Sequence, residues 1–133
     1  MKWTVGPAMM DTAALLIVQL EPHLLGRTII EWLQDPGRPK LISTVSFWEV
    51  SIKFGLGKLD LPATLDDFFA EWSSRGDVRV VPLDLEAVRQ VADLPKYHRD
   101  PFDRVLACQA LQQGAAVVSP DRAFDHYGVT RFW

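Results

Sequence analysis

Residues 100–119 read "DPFDRVLACQALQQGAAVVS". The Asp-Pro pair opens a helix: Pro suits the first helical position, and the Asp before it can accept from the first backbone N–H groups. Leu106, Ala107, Ala110 and Leu111 then recur on one helical face, with Asp103 at its head. Gly114 ends the helix. "AAVVS" (115–119) is a short unbroken apolar run, as expected of a strand covered on both faces. A patterned helix that feeds directly into a buried strand is the repeating unit of an α/β domain.

The same alternation runs along the rest of the chain. "VGPAMMDT" (5–12) holds a first short strand, starting after Pro7, which has no N–H to pair. "TAALLIVQL" and "HLLGRTIIEWLQD" read as helices, and "DPGRP" ends the second. "KLIST" (40–44) is strand-like. "VSFWEVSIKFG" (45–55) reads as a helix with Ser46 as cap and Gly55 at its end. "TLDDFFAEWSSRG" and "DLEAVRQVADL" are helical, and "VRVVPL" (78–83) between them is rich in β-branched residues. "PDRAFDHYG" is a short helix, and "VTRFW" a last strand. The pattern predicts one α/β domain over residues 1–133, with a mostly parallel sheet and residues 1–7 as an atypical lead-in.

Composition narrows the function classes. A chain of 133 residues, 48% hydrophobic and 23% charged, can bury one sizeable core. A net charge of −3 disfavours a protein that coats nucleic acid by bulk positive charge, although a local basic rim remains compatible. The lone Cys108 can form neither an internal disulfide nor a zinc site, which fits a reducing compartment. The longest apolar runs, such as 13–20, are too short to span a bilayer, and no signal peptide is evident. The expectation is a soluble cytoplasmic domain without membrane attachment.

In open parallel sheets, ligands bind beyond the carboxyl ends of the strands, where strand order reverses. Asp11 and Asp121 follow strand-like runs and fall at such ends. Each acid of interest also has a purely structural explanation. Asp11 can cap the helix after it. Glu49 can pair with Lys53 one turn on, worth ~0.2–0.5 kcal/mol if exposed. Yet Phe47, Trp48, Val50 and Ile52 leave little of that helix polar, and a carboxylate bordering the core needs a cation. Asp100 is the helix start, whereas Asp103 heads the apolar stripe and faces the sheet end. In "SPDRAF", Ser119 and Pro120 look like cap and first helical residue, leaving Asp121 as dipole decoration or ligand, with Asp125 in reserve. Four carboxylates from separate elements at one sheet end would repel strongly without a counter-charge. Oxygen-only donors select hard cations such as Mg²⁺ or Mn²⁺. His23, His98 and His126 lack metal-ligand spacing, and "GLG" (55–57) follows a helix, so it is not a phosphate loop.

In order along the chain, "DTAALL", "STVSFWEVSIKFGLGKLDLP", "LPKYHRDPFDRVLACQA" and "VVSPDRAFDHYGV" resemble the PIN-domain ribonucleases, and among them the VapC-type toxins of toxin–antitoxin pairs. The resemblance runs from about residue 8 to the C-terminus. It implies a three-layer α/β/α fold around a mostly parallel sheet of about five strands. It implies Mg²⁺- or Mn²⁺-dependent endonucleolytic cleavage of RNA, by in-line attack of water that leaves a 3′-hydroxyl and a 5′-phosphate. The implied catalytic and metal-ligating acids are Asp11, Glu49, Asp103 and Asp121. Thr12, Ser46 and Ser119 are the implied hydroxyl neighbours, able to support the carboxylates from behind. A homodimer and a cognate antitoxin bound in an apolar groove are the implied partners.

The chain departs from the family pattern in two places. Its lead-in to the first Asp is "WTVGPAMM", not a smooth apolar strand, and Ala13 stands where His is common. A weakened first strand would displace Asp11, so the alternative is a catalytically weak module acting through antitoxin and operator binding. A signalling receiver domain fits less well: it needs a Lys after its last strand, and no Lys follows residue 96. Lys53, Lys58, Arg99, Arg104 and Arg122 lie near the acids in sequence and are candidates for a basic rim that holds RNA. Trp32, Trp48, Trp72, Phe68 and Phe69 sit at core-compatible spacing, with some left for a partner surface.

Overall fold

The computed structural model describes residues 6–96 and 100–133. His98 and Arg99 therefore lie outside the described residues. The elements are β1 (Ala8–Met10), α1 (Thr12–Leu20), α2 (Arg27–Gln34), β2 (Lys40–Ser43), α3 (Thr44–Gly55), α4 (Leu65–Ser73), β3 (Val78–Val81), α5 (Leu85–Gln90), α6 (Pro101–Gln112), β4 (Ala116–Val118) and β5 (Arg131–Phe132). Single 3-10 turns occupy Pro22–Leu24, Val91–Asp93 and Arg122–His126. The sheet runs β3-β2-β1-β4-β5, and each of its pairings is parallel.

The two-residue period of the strands divides the core. Ala8, Met10, Ile42 and Val118 point to one face and meet Ala14 and Leu15 of α1, Ile29 and Trp32 of α2, Phe47 and Val50 of α3, and Phe68 and Trp72 of α4. Met9, Leu41, Val81 and Val117 point to the other and meet Ala87 of α5, residues 105–108 and Ala110 of α6, and Phe124 and Tyr127. Both faces are thus covered, which makes the fold a three-layer α/β/α sandwich and explains why its strands read as continuous apolar runs.

The unusual lead-in is resolved simply. Gly6 takes φ 73°, a turn conformation that glycine tolerates, and the strand begins after Pro7. β1 is only three residues long, but it is central. Ala8, Met9 and Met10 pair with residues 40–42 on one side and 116–118 on the other. The Asp11 N–H donates to the Val118 carbonyl at 3.1 Å, so the register continues through Asp11.

Several sequence readings need correction. α3 starts at Thr44 and is capped by Ser43, whose hydroxyl accepts from Val45 N–H; Ser46 is a buried helix residue, not the cap. The "PDRAF" turn is capped by Asp121 itself, with Ser119 accepting the Asp121 N–H, so Ser119 and Pro120 are not cap and first helical residue. Leu111 is exposed at the end of the α6 stripe. "HLLGRTIIEWLQD" divides at Gly26 into a 3-10 turn and α2, and "DLEAVRQVADL" into α5 and a 3-10 turn. Gly26, the N-cap of α2, marks the first of these divisions.

At the amino end of the sheet, Lys40 is fully buried. Its ammonium lies 2.9 Å from Asp77, donates to the Asp35 carbonyl and sits 5.5 Å over the Trp32 ring. This buried cluster ties β2 to the start of β3, far along the strands from their carboxyl ends.

Candidate active site

From β1 the chain winds to β2 and β3 on one side, then returns to place β4 and β5 on the other. The reversal between β1 and β4 opens a crevice beyond their carboxyl ends, where α/β folds bind ligands. Asp11 is the first residue past β1, and Ser119 the first past β4.

Asp11 is almost fully buried. One carboxylate oxygen accepts the Ala14 N–H at 2.7 Å, capping α1; the other accepts the Ser119 hydroxyl at 2.6 Å. Capping and site roles therefore coexist in one side chain, one oxygen each. Burial pushes the Asp11 carboxyl up to about 6, against the pull of those two hydrogen bonds, and the nearby Asp121 and Glu49 charges add to the rise.

Asp103, at the head of α6, is the most perturbed group. Burial lifts its carboxyl to about 8, helped by repulsion from Asp100, Asp11, Asp121 and Glu49. Asp100, at the start of the same helix, is the largest of these charges, and the smaller contributions of Asp11, Asp121 and Glu49 put Asp103 within their electrostatic reach. Asp100 caps α6, accepting the Phe102 N–H at 2.9 Å, as its place before Pro101 predicted.

Glu49, 9% exposed, lies on α3 and pairs with Lys53 one turn on at 3.1 Å. Asp121 caps the 3-10 turn after β4 through Ala123 N–H at 2.9 Å. Thr12 donates to the Ser46 hydroxyl at 3.1 Å, both buried, which links the start of α1 to α3. Of the three hydroxyls singled out in the sequence, Ser119 contacts Asp11 and the Asp121 backbone, whereas Thr12 and Ser46 contact one another.

Fit to a divalent cation rests on the donor set. The candidate groups offer carboxylate and hydroxyl oxygens only, the chemistry of a hard cation. Burial first, and then the neighbouring carboxylates, raise the Asp103 carboxyl, and a cation bound nearby would lower it. Among the described residues, no three acid, histidine or cysteine side chains approach one common ligation point.

The sequence matches the PIN domain family over residues 8–129. The chain belongs to the PIN-domain family. Several solved structures share its fold. VapBC2 from Rickettsia felis, bound to a promoter DNA fragment, superposes with a TM-score of 0.70 at 12% identity, covering 96% of this chain and 98% of that one. DNA-bound VapBC from Salmonella typhimurium gives 0.69 at 19% identity, with the same coverage. FitAcB from Neisseria gonorrhoeae gives 0.66 at 16%, covering 95% of this chain and 96% of that one. No curated protein sequence matches the chain significantly.

Within this PIN domain, the basic candidates fare unequally. Lys53 is engaged by Glu49. Arg104 donates to the carbonyls of Val91, Leu94 and Pro95 and lies 5.8 Å over the Tyr127 ring, so it fastens the segment before α6. Lys58 and Arg122 are exposed. Asp125, the reserve acid, is exposed and held by Arg131 at 2.9 Å, which takes it away from the cluster. Trp32, Trp72 and Phe68 are core residues, whereas Trp48 is 57% exposed and packs edge-on against Phe102 at 5.0 Å. Arg131 escaped sequence reading: it lies in the last strand, remote from every acidic motif except Asp125 six residues earlier.

Proposed function

We propose that this PIN domain, a single domain over the whole chain, is a VapC-type toxin: an Mg²⁺- or Mn²⁺-dependent endoribonuclease that hydrolyses RNA phosphodiester bonds and is inhibited by a cognate antitoxin. The observation that supports this reading is the placement of Asp11 and Asp121 just past β1 and β4, at the strand-order reversal, with Asp103 at the head of α6 and the buried Glu49 on α3 within electrostatic reach of them. The similarity to VapBC and FitAcB folds supports the toxin assignment.

Asp11, Glu49, Asp103 and Asp121 would hold the divalent ion, which when bound supplies charge for activating water and stabilising the leaving oxygen. The chain's own residues prepare this. Ser119 fixes one Asp11 oxygen and, through the Asp121 N–H, sets the turn that carries Asp121. Thr12 and Ser46 tie the helices bearing Asp11 and Glu49. Asp103, raised by burial, would have to give up its proton to serve as a ligand. Lys58 and Arg122 are exposed cations on the same chain segments as the acids and would contact RNA phosphates, giving binding that weakens with salt. Trp48, Ile52 and Leu56 form an exposed apolar row along α3, which supports protein partners, an antitoxin segment or a second copy. Among the described residues no helix is long and apolar enough to cross a membrane.

The test is purified protein with Mg²⁺ and a pool of cellular RNA. Cleavage that is lost in Asp103→Asn is expected. A wild type that does not cleave, yet binds its antitoxin, would favour the catalytically weak module instead.

A further inference from the structure

We propose that Arg131, in the last strand, is a positioning residue for the acidic site, acting through Ser119. Its guanidinium makes three contacts from one side chain. Nη1 donates to the Ser119 carbonyl at 3.1 Å. Nε and Nη2 donate to the two oxygens of Asp125 at 2.9 and 3.2 Å, a bidentate pair of the geometry guanidinium favours. The Arg131 side chain is only 17% exposed, although Asp125 is half-exposed.

These contacts lie one bond network away from the acids. The residue whose carbonyl Arg131 grips is the one whose hydroxyl donates to Asp11 and accepts from Asp121 N–H. Asp125 belongs to the 3-10 turn that Asp121 caps. Arg131 therefore pins both ends of the Ser119–Asp125 turn. Backbone pairing reinforces the arrangement: the Ser119 N–H donates to the Phe132 carbonyl at 3.0 Å, and Val117 N–H to the Thr130 carbonyl at 2.8 Å. The C-terminal strand is thus a latch on β4, and Arg131 is its side-chain bolt. Ser119 is fully buried, so a shift of its backbone has no solvent-side slack and passes directly to Asp11.

The inference rests on the metal-site reading above. It is tested by Mn²⁺ titration, followed by electron paramagnetic resonance, together with RNA cleavage kinetics, on wild type, Arg131→Met and Asp125→Asn. Arg131→Met is expected to fold, to weaken Mn²⁺ binding and lower kcat by roughly 10- to 100-fold, the usual cost of losing a group that orients a ligand, and to leave KM for RNA unchanged. Asp125→Asn, which leaves the Ser119 contact, is expected to fall between the two. Unchanged Mn²⁺ affinity in Arg131→Met overturns the inference. So does a raised KM with a shallower salt dependence, which would make Arg131 an RNA contact. If Arg131→Met fails to fold, Asp125→Asn decides alone, and wild-type Mn²⁺ affinity in that variant overturns the inference. A wild type that binds no Mn²⁺ overturns the metal-nuclease reading, and this inference with it.

Discussion

Asp103→Asn is expected to stabilise the protein in the absence of divalent cations while removing its activity. Burial and four acidic neighbours push the Asp103 carboxyl up to about 8, far above the value of an unfolded chain. The folded state therefore holds a proton that the unfolded state has already released. Stability from this group is fully present below about pH 4 and drains away as pH rises toward 8, with a slope of at most about 1.4 kcal/mol per pH unit. Asparagine is neutral throughout and keeps the size of the side chain, so it removes the drain. Asp103 is partly exposed, and water screens part of the repulsion, so a gain of about 1–2 kcal/mol at pH 8 is expected.

Thermal unfolding in EDTA measures this. At pH 8 the variant should melt higher by roughly 3–8 °C, and the two melting curves should converge toward pH 4. Adding Mg²⁺ should reverse the order. Wild type gains up to ~2.7 kcal/mol when Mg²⁺ stands at a hundred times its dissociation constant, and the variant gains little. A variant that is less stable than wild type at pH 8 without metal, or a stability difference that does not change with pH, would refute the reasoning, because either result places Asp103 outside the repulsive cluster.

Asp100→Asn keeps a capping side chain and should alter neither cleavage nor melting, while Asp100→Ala should cost about 0.5–2 kcal/mol in denaturant unfolding with cleavage retained. Ser119→Ala removes the hydroxyl that pulls the Asp11 carboxyl down from its buried value, so the acidic limb of the cleavage pH profile should move to higher pH, with kcat falling about 10- to 100-fold. Asp77→Ala leaves the fully buried Lys40 ammonium without its carboxylate and should cost about 3–5 kcal/mol in urea unfolding; Lys40→Met, which removes the charge itself, should cost less.

What could be read from the sequence followed from local periodicity. The α6 stripe, the apolar β4 run and the Asp-Pro start of α6 are nearest-neighbour patterns, and they led to an α/β domain with a mostly parallel sheet and to Asp103 at the head of the apolar stripe; the three-layer arrangement came from the family resemblance. Caps were less legible. Ser43 and Ser46 both lie near the start of α3, and only the backbone decides that Ser43 caps while Ser46 turns inward to Thr12. Long-range pairings were not legible at all. Lys40 opens a strand and would pass for a solvated charge; it is buried because β3 brings Asp77 beside it. Arg131 meets Ser119 for the same reason, since β5 adds at the sheet edge beside β4. Arg104, close to the acids in sequence, turns away to the carbonyls of residues 91–95, because a helix changes side-chain direction by 100° per residue.

The Gly6-Pro7 lead-in shows why strand length alone does not predict a site. A three-residue strand at a sheet edge would hold Asp11 poorly. β1 lies instead at the centre, where each residue pairs on both sides. Asp11 is then fixed from three further directions: its N–H to Val118, and its two oxygens to Ala14 and Ser119. The position of this carboxylate is therefore determined by its neighbours β2 and β4 and by the start of α1. Ala13 is exposed beside it and takes no part in these contacts. The two departures from the family pattern thus fall on positions that the acidic cluster does not depend on for its placement.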